Sequence, residues 1–269
     1  MTVGSTDQSA VARQPAEGRD SAYWAKPIGK LSVSAVDAGA ANINVAGRRV
    51  VGPVQGFGQM WQKTFRVRLE GASVTPAEAI RAWKDHFPRF WPKGASFYAP
   101  LAGITPGEVG LFTLSPLPGP VRLSSGVLVI YADDESFTFM TPEGHLLAAW
   151  ITFSASEENG VTVMQAQVLE RANDPLYELA GLLGGNSVNN RFWEQTLRNL
   201  SAHFGVAGQV QTQVVCVDPR RQWSHAGNIW HNAGIRSGLY AAAAPVRWIA
   251  KPFHAGAGDK TRTTTKSPS

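Results

Sequence analysis

Proton transfer is the chemistry that the side chains of this sequence come closest to supporting. His145 stands in a turn before one predicted strand, and Glu170 lies near the end of the next. A histidine that faces a cavity could donate a hydrogen bond or act as a general base. A histidine in an exposed surface turn would have neither role, and we favour this surface interpretation for His145. His145 and Glu170 are the two candidate catalytic residues.

Other reactive arrangements are absent from the sequence. His225 and His231 are six residues apart, on no common helical face, and have no cysteine or carboxylate at ligand spacing, so no metal site is predicted. There is no Gly-x-Ser-x-Gly motif, and no Lys-Ser/Thr follows the glycines at 181–185. The acids at 133–135 indicate a solvated turn. No cofactor is expected.

The single cysteine, Cys216, excludes an intrachain disulfide and any multi-cysteine metal site. Its β-branched neighbours, in VVCVDP, are typical of a strand. Nearby Asp218 would raise the pKa of the thiol and so disfavour a reactive thiolate. We therefore predict that Cys216 is a buried, unreactive strand thiol.

The positive charge of the chain lies outside its central segment. Residues 57–205 carry 11 Lys and Arg against 14 Asp and Glu, a net charge of −3, whereas residues 206–269 carry 8 against 2, a net charge of +6. A groove that follows phosphates would place its basic residues on the folded surface. Nucleic-acid binding is therefore not expected.

A strand, a helix, a series of hairpins and a long helix follow one another through this segment. Phe65, Val67 and Leu69 alternate with arginines, and Thr75-Pro76-Ala77-Glu78 is a capping box that begins a short helix. Asn159-Gly160 is a strong hairpin signal between two strands, 145–156 and 161–171. Consecutive hairpins predict an antiparallel sheet.

The final helix is predicted from Ser187 to Phe204, ended by Gly205. In the preceding hairpin, Trp150 lies on one face and Ile151 on the other, and neither face is cleanly polar. A sheet with one wet face should alternate more sharply. The mixed faces favour a sheet around a partly hollow interior. The aromatic loop 87–106 is either a lid over that space or a plug that caps the core, and the plug is favoured.

Two segments, GVLVIYADDESFTFMTPEGHLLAAWITFSA and NRFWEQTLRNLSAHFG, together with this element order, resemble the START-like (SRPBCC) superfamily, in an uncharacterised bacterial branch. The resemblance covers about residues 57–205. It implies an α+β helix-grip fold, in which a curved antiparallel sheet wraps around the long C-terminal helix. It also implies a cavity between sheet and helix for a lipid, polyketide or similar hydrophobic molecule. The superfamily has no universal catalytic residues, so none is carried over.

Aromatic residues on the elements around that cavity are the candidate ligand-binding residues. They are Tyr98, Tyr131, Phe137, Phe139, Trp150, Phe192 and Trp193. Plain core packing explains each of them equally well. The leading hypothesis is therefore a binding protein for a hydrophobic small molecule rather than an enzyme. The first alternative is a cyclase or dehydratase that acts in the same cavity.

The flanking segments complete the predicted organisation. Residues 1–56 are expected to be mostly disordered or irregular, 206–255 to pack on the domain as an extension, and 256–269 to form a disordered basic tail. The extension contains His225, Trp230 and His231, which makes it a second alternative, a protein-interaction module. The sequence shows neither a signal segment nor a membrane span, so a cytoplasmic location is expected.

Overall fold

The computed structural model describes residues 21–34, 39–115 and 122–243. The predictions for residues 1–20, for the end of the extension at 244–255 and for the tail 256–269 lie outside these residues. The described strands are β1 (Val50–Val51), β2 (Met60–Arg68), β3 (Ala95–Tyr98), β4 (Val109–Leu114), β5 (Leu123–Ala132), β6 (Ser136–Pro142), β7 (Leu147–Glu158), β8 (Val161–Ala172) and β9 (Val210–Asp218).

These strands form one antiparallel sheet in the order β3-β4-β5-β6-β7-β8-β2-β9, and β1 pairs with β6. The β7–β8 hairpin turns at Asn159 and Gly160, whose φ angles of 53° and 75° are those of the tight turn that Asn-Gly predicts. β2 closes the sheet against β8 although about a hundred residues separate the two in sequence. Thr64 lies opposite Gln167 in that pairing.

The helices are α1 (Pro76–Asp85), α2 (Pro175–Ala180), α3 (Asn186–His203) and α4 (Ala233–Ala242). The predicted capping box of α1 is present, because Thr75 Oγ1 accepts from the Glu78 amide while the Glu78 carboxylate accepts from the Thr75 amide. Asp174 caps α2. A short segment, Gly181–Gly185, joins α2 to α3 through a kink at Leu183 and Gly184, whose backbone angles are not helical, and φ at Gly184 is 115°. Gly205 ends α3 with a φ of 74°.

The face of the sheet toward α1 and α3, here called the inner face, is filled by aromatic rings. Phe87, in the 3₁₀ turn after α1, is at the centre of the cluster, with its ring centroid 5.3 Å from that of Phe153. Phe153 also contacts Trp193 of α3 at 5.6 Å. The expectation of a hollow space at Trp193 is therefore wrong, because rings occupy it.

The opposite, outer face is covered as well, by the N-terminal segment. Leu31 and Val45 of that segment are buried against Val109, Leu111 and Leu128 of β4 and β5. On β4 and β5, therefore, both faces of the sheet carry an apolar cover. In β7, Ile151 is buried on the inner face, whereas Trp150 on the outer face is 47% exposed.

The chain beyond α3 adds one strand to the sheet and then returns to the end of β8. β9 pairs with β2, and a 3₁₀ segment, Trp223–His231, leads into α4. Asn232 Nδ2 donates to Asp174 Oδ2 at 2.7 Å, and Tyr177 Oη accepts from the Gly234 amide at 2.8 Å. These buried bonds tie the extension to the cap of α2.

Cys216 is exposed, so the prediction of a buried thiol is wrong. The strand assignment itself is confirmed, because Cys216 lies in β9 opposite Trp61. The β-branched neighbours of Cys216 predicted the strand correctly, but no element of the described chain packs on either face of β9 at this position. A strand residue is buried only where another element packs over its side chain.

Candidate functional site

A buried ion pair interrupts the apolar inner face of the sheet. Lys63 Nζ of β2 lies 2.7 Å from Glu170 Oε1 of β8, and each side chain is 2% exposed. Lys63 lies two residues before the buried Phe65 in β2, and Glu170 lies two residues after the buried Val168 in β8. Both side chains therefore point to the inner face, because residues two apart in a strand, and residues directly opposite in a strand pair, share one face. Removing two charges from water is costly, and the attraction between them offsets this only with good geometry.

The geometry around the pair leaves hydrogen-bonding capacity unused. Asn189, in the first turn of α3, donates through Nδ2 to both Glu170 oxygens, at 3.1 and 3.2 Å. The ammonium of Lys63 contacts Glu170 but meets no acceptor within the described chain at a hydrogen-bonding angle. An ammonium carries three donors. Lys63 could therefore bind a further acceptor, such as the polar head of a ligand.

An aromatic wall extends from this polar end beneath the first two turns of α3. Phe192, one turn after Asn189, meets Trp91 at a centroid distance of 5.0 Å, and Trp91 meets Phe112 of β4 at 5.5 Å. Ser125, directly opposite Phe112 on β5, is fully buried. Neither Ser125 Oγ nor Trp91 Nε1 has a hydrogen-bond partner in the described residues. Buried polar atoms are normally satisfied, so these two also mark a place where a ligand could bind.

His145 closes the far end of the aromatic wall. Its ring packs edge-on against Phe112 at 5.5 Å, and Nδ1 lies 2.9 Å from the amide nitrogen and 2.8 Å from the carbonyl oxygen of Leu147. The side chain is 7% exposed, so the favoured surface-turn interpretation is wrong. Burial, only partly opposed by the backbone contact, lowers the pKa of His145 to about 4.

The buried His145 should make stability fall with acidity. Its folded-state pKa of about 4 lies below the usual 6.5, so the unfolded chain binds the extra proton between these values. Stability from this group is complete above pH 6.5 and is lost as pH falls toward 4. Between pH 7.5 and 5.0 we expect wild type to lose about 2 kcal/mol more unfolding free energy than His145→Asn does. Urea unfolding at both pH values measures this, and equal losses would contradict it.

The predicted ligand-binding residues divide between the two faces. Phe137, Phe139 and Trp193 are buried in the inner aromatic core, and Phe192 lies partly buried at the wall. Tyr98 packs on the outer cluster with the N-terminal segment, and Tyr131 contacts Trp24 there at 4.9 Å.

Trp150 also lies on the outer face and is 47% exposed. Tyr98, Tyr131 and Trp150 therefore cannot line a space between the sheet and α3, which corrects the sequence interpretation for these three. Alternation along a strand shows which residues share a face. It does not show which of the two faces meets the helix.

Several residues of the site escaped the sequence interpretation. Lys63, Asn189, Trp91, Phe112 and Ser125 were not among the candidates. For Lys63 a signal was present, because it continues the row of Phe65 and Val67 in a strand whose other face already carries arginines. A lysine on the apolar face of a strand needs a partner. The partner, 107 residues away, could not be read from the pattern.

Two clefts lined by described residues lie at the surface, away from α3's first turns. One, of about 400 Å³, lies beside Trp24 and Pro106, and the other, of about 510 Å³, lies between Arg68 and Gly208. Among the residues described, no three histidine, cysteine or carboxylate side chains are grouped so as to hold a metal ion. Nor does the described chain contain a helix of the length and apolarity that crossing a bilayer requires.

No protein-family model matches the sequence, and no curated protein matches it. Solved structures are similar to about half of the chain. Protein Ms6760 from Mycobacterium smegmatis is 13% identical, over 53% of this chain and 89% of its own, with a TM-score of 0.38. Major latex-like protein 151 from Panax ginseng is 11% identical, over 55% and 99%, with a TM-score of 0.34.

The di-domain ARO/CYC StfQ of the steffimycin biosynthetic pathway is 12% identical, over 55% of this chain and 53% of its own, with a TM-score of 0.41. Likeness of this size gives no ground for transferring a ligand or a reaction. The chain's own topology defines the class: an α+β protein whose antiparallel sheet packs against a long helix, as in the helix-grip fold.

Proposed function

We propose that this protein binds a hydrophobic small molecule with one polar head, between the sheet and the first two turns of α3. Lys63, paired with the Glu170 carboxylate that Asn189 also contacts, binds the head, and the wall of Trp91, Phe112 and Phe192 contacts the apolar body. The observation that carries the proposal is the Lys63–Glu170 pair, 2% exposed on an apolar face. Ligand sites combine mainly apolar walls with a few placed polar groups.

The proposed site lies nearer the start of α3 than the sequence predicted. Rings fill the space at Trp193, whereas Phe192 is only partly buried and belongs to the first half of the helix. The ligand would take the place of the Trp91–Phe192 contact. The unpartnered atoms Ser125 Oγ and Trp91 Nε1 would then contact it.

The segment joining α2 to α3 supplies the route into this site. It exposes two leucines, Leu182 and Leu183, which are 60% and 80% exposed, and Val188 of α3 follows at 59%. Gly184, with a φ of 115°, allows the chain to bend between the two helices. Movement here would separate Phe192 from Trp91 without disturbing the sheet.

A fluorescent fatty-acid analogue tests the proposal. Titration with 11-(dansylamino)undecanoic acid should give saturable binding to the wild type. In Lys63→Met/Glu170→Leu, where both charges are replaced by apolar groups of similar size, we expect the dissociation constant to rise at least tenfold. Lys93→Met, the same change at an exposed lysine, should bind as wild type does.

Two results would contradict the proposal. One is a wild type that does not bind the probe and yields no bound molecule on extraction. The other is a double variant that folds and binds with unchanged affinity. Near-ultraviolet circular dichroism establishes that each variant keeps its packed aromatic core, so a loss of affinity is not a loss of fold.

A cyclase or dehydratase is the second candidate, and the same pair favours it. A buried carboxylate next to a lysine ammonium could exchange a proton with a bound molecule. His145 is neutral near pH 7 because its pKa lies at about 4, and its Nδ1 is engaged by Leu147. Conversion of a bound polyketide-like compound that Glu170→Gln abolishes, with binding retained, would support this function.

A further inference from the structure

β9 is an edge strand that the described chain leaves largely uncovered, apart from Val210, which is partly buried, and Thr212, whose hydroxyl donates to Glu194 of α3. All seven residues from Gln211 to Val217 are exposed. Register places Val214, opposite Lys63, on the inner side and Val215, opposite Gln62, on the outer side. They are 42% and 43% exposed, and Val217 is 51% exposed. A strand that places apolar side chains on both sides and buries neither set is not stabilised by its own domain.

The free edge of β9 also lacks the features by which proteins protect edge strands. β9 ends the sheet, and within the described chain its only strand partner is β2. From Val210 to Val217 it contains no charged residue and no proline. Native edge strands are usually short, charged, interrupted by proline or covered. An uncharged edge of eight residues presents a row of backbone donors and acceptors that can pair with another strand.

The charge pattern makes a second copy of this chain the fitting partner. In a two-fold antiparallel pairing, β9 residues lie opposite β9 residues of the other copy, so a charge near the two-fold axis would lie close to its symmetry-related charge. β9 has only Asp218, at its end, and that carboxylate is held by Arg171 at 2.6 Å and by Arg220 at 2.9 Å. The strand therefore pairs with itself without like-charge repulsion.

We infer that the protein forms a two-fold homodimer through antiparallel pairing of β9, giving one sheet that continues across both copies. The contact is isologous, the commonest symmetry of soluble oligomers. It covers the exposed valines of both faces with those of the partner. It also leaves the site between the sheet and α3 intact in each copy, so it is independent of the proposed ligand.

Sedimentation equilibrium of the full chain tests the dimer. Wild type should run at about twice the monomer mass of 28.9 kDa. Val214→Lys/Val215→Lys adds a charge to each face and should be monomeric at the same concentration. Val54→Lys makes the same change at a valine that is 70% exposed outside the sheet, and it should remain dimeric. Circular dichroism of both variants confirms folding.

Cys216 provides a second measurement that needs no substitution, because it is the single cysteine and is exposed. A spin label on it should report an intermolecular distance within about 30 Å for any antiparallel register that pairs five or more residues. A monomeric wild type, a dimer that the double lysine variant leaves unchanged, or a label distance well beyond 30 Å would each overturn the inference.

Discussion

Lys63→Met is expected to lower the free energy of unfolding by about 3–5 kcal/mol. The substitution keeps the length of the side chain but removes the only cation within 4 Å of Glu170 in the described chain, leaving a carboxylate that is 2% exposed with Asn189 as its remaining partner. An uncompensated buried charge costs more than the intact pair contributes. Urea unfolding at neutral pH measures the loss.

The double variant Lys63→Met/Glu170→Leu separates charge from packing. It removes both charges together, so its stability should return to within about 1 kcal/mol of wild type or exceed it. Recovery of this kind would show that the pair is retained for a purpose other than stability. A single variant that loses less than about 1 kcal/mol, or a double variant that is no better than the single one, would contradict a buried, coupled pair.

Phe87→Ala should destabilise the protein by about 3–5 kcal/mol, the usual cost of emptying a buried phenylalanine site. Phe87 is 1% exposed, and its ring meets those of Phe97 at 4.8 Å and Phe139 at 5.3 Å as well as that of Phe153. These contacts join the turn after α1 to three strands of the sheet, β3, β6 and β7. Thermal and urea unfolding report the loss.

Trp230→Ala is the matched control for this aromatic truncation. Trp230 is 84% exposed, so its removal should change stability by less than about 0.5 kcal/mol. If Phe87→Ala cost no more than Trp230→Ala, the aromatic cluster would not be the core of the domain. The comparison also tests whether loop 87–106 acts as a plug. Phe87 and Phe90, at the start of this loop, are both buried, which supports that role.

Local patterns were sufficient to predict most elements of the sheet and helices. The capping box at Thr75, the Asn159-Gly160 turn and the Gly205 terminator each depend on a few adjacent residues. Backbone conformation at such positions is set by the residues themselves, so the sequence alone identifies them. The helix-grip arrangement followed from their order.

The site was only partly predictable, because it depends on how strands distant in sequence pair and on which segments pack over each face of the sheet. Glu170 was identified as a buried ionisable candidate, but its partner Lys63 reaches it only through the closure of β2 on β8. Tyr98 and Tyr131 were assigned to the wrong face because the N-terminal segment gives the outer face an apolar cover too. Trp150 was misassigned because alternation along a strand does not show which face meets the helix. Cys216 was expected to be buried because strand residues commonly are, whereas β9 lies at an edge.

Lys63 also connects the stability results to the proposed function. A residue that costs stability to bury and leaves donors unused is typical of a binding or catalytic position, where natural sequences depart from the best-packed solution. The double variant should therefore be stable and yet bind acidic ligands poorly. Either half of that result alone would have another explanation, whereas the combination indicates a ligand site.

Native mass spectrometry of the purified protein tests the central claim most directly. We expect the wild type to carry a discrete, non-covalent additional mass that organic extraction removes. Lys63→Met/Glu170→Leu, prepared in the same way, should carry little or none of it. A wild type that shows only the mass of its own chain, and that acquires none when incubated with apolar acids, would contradict a ligand-binding site between the sheet and α3.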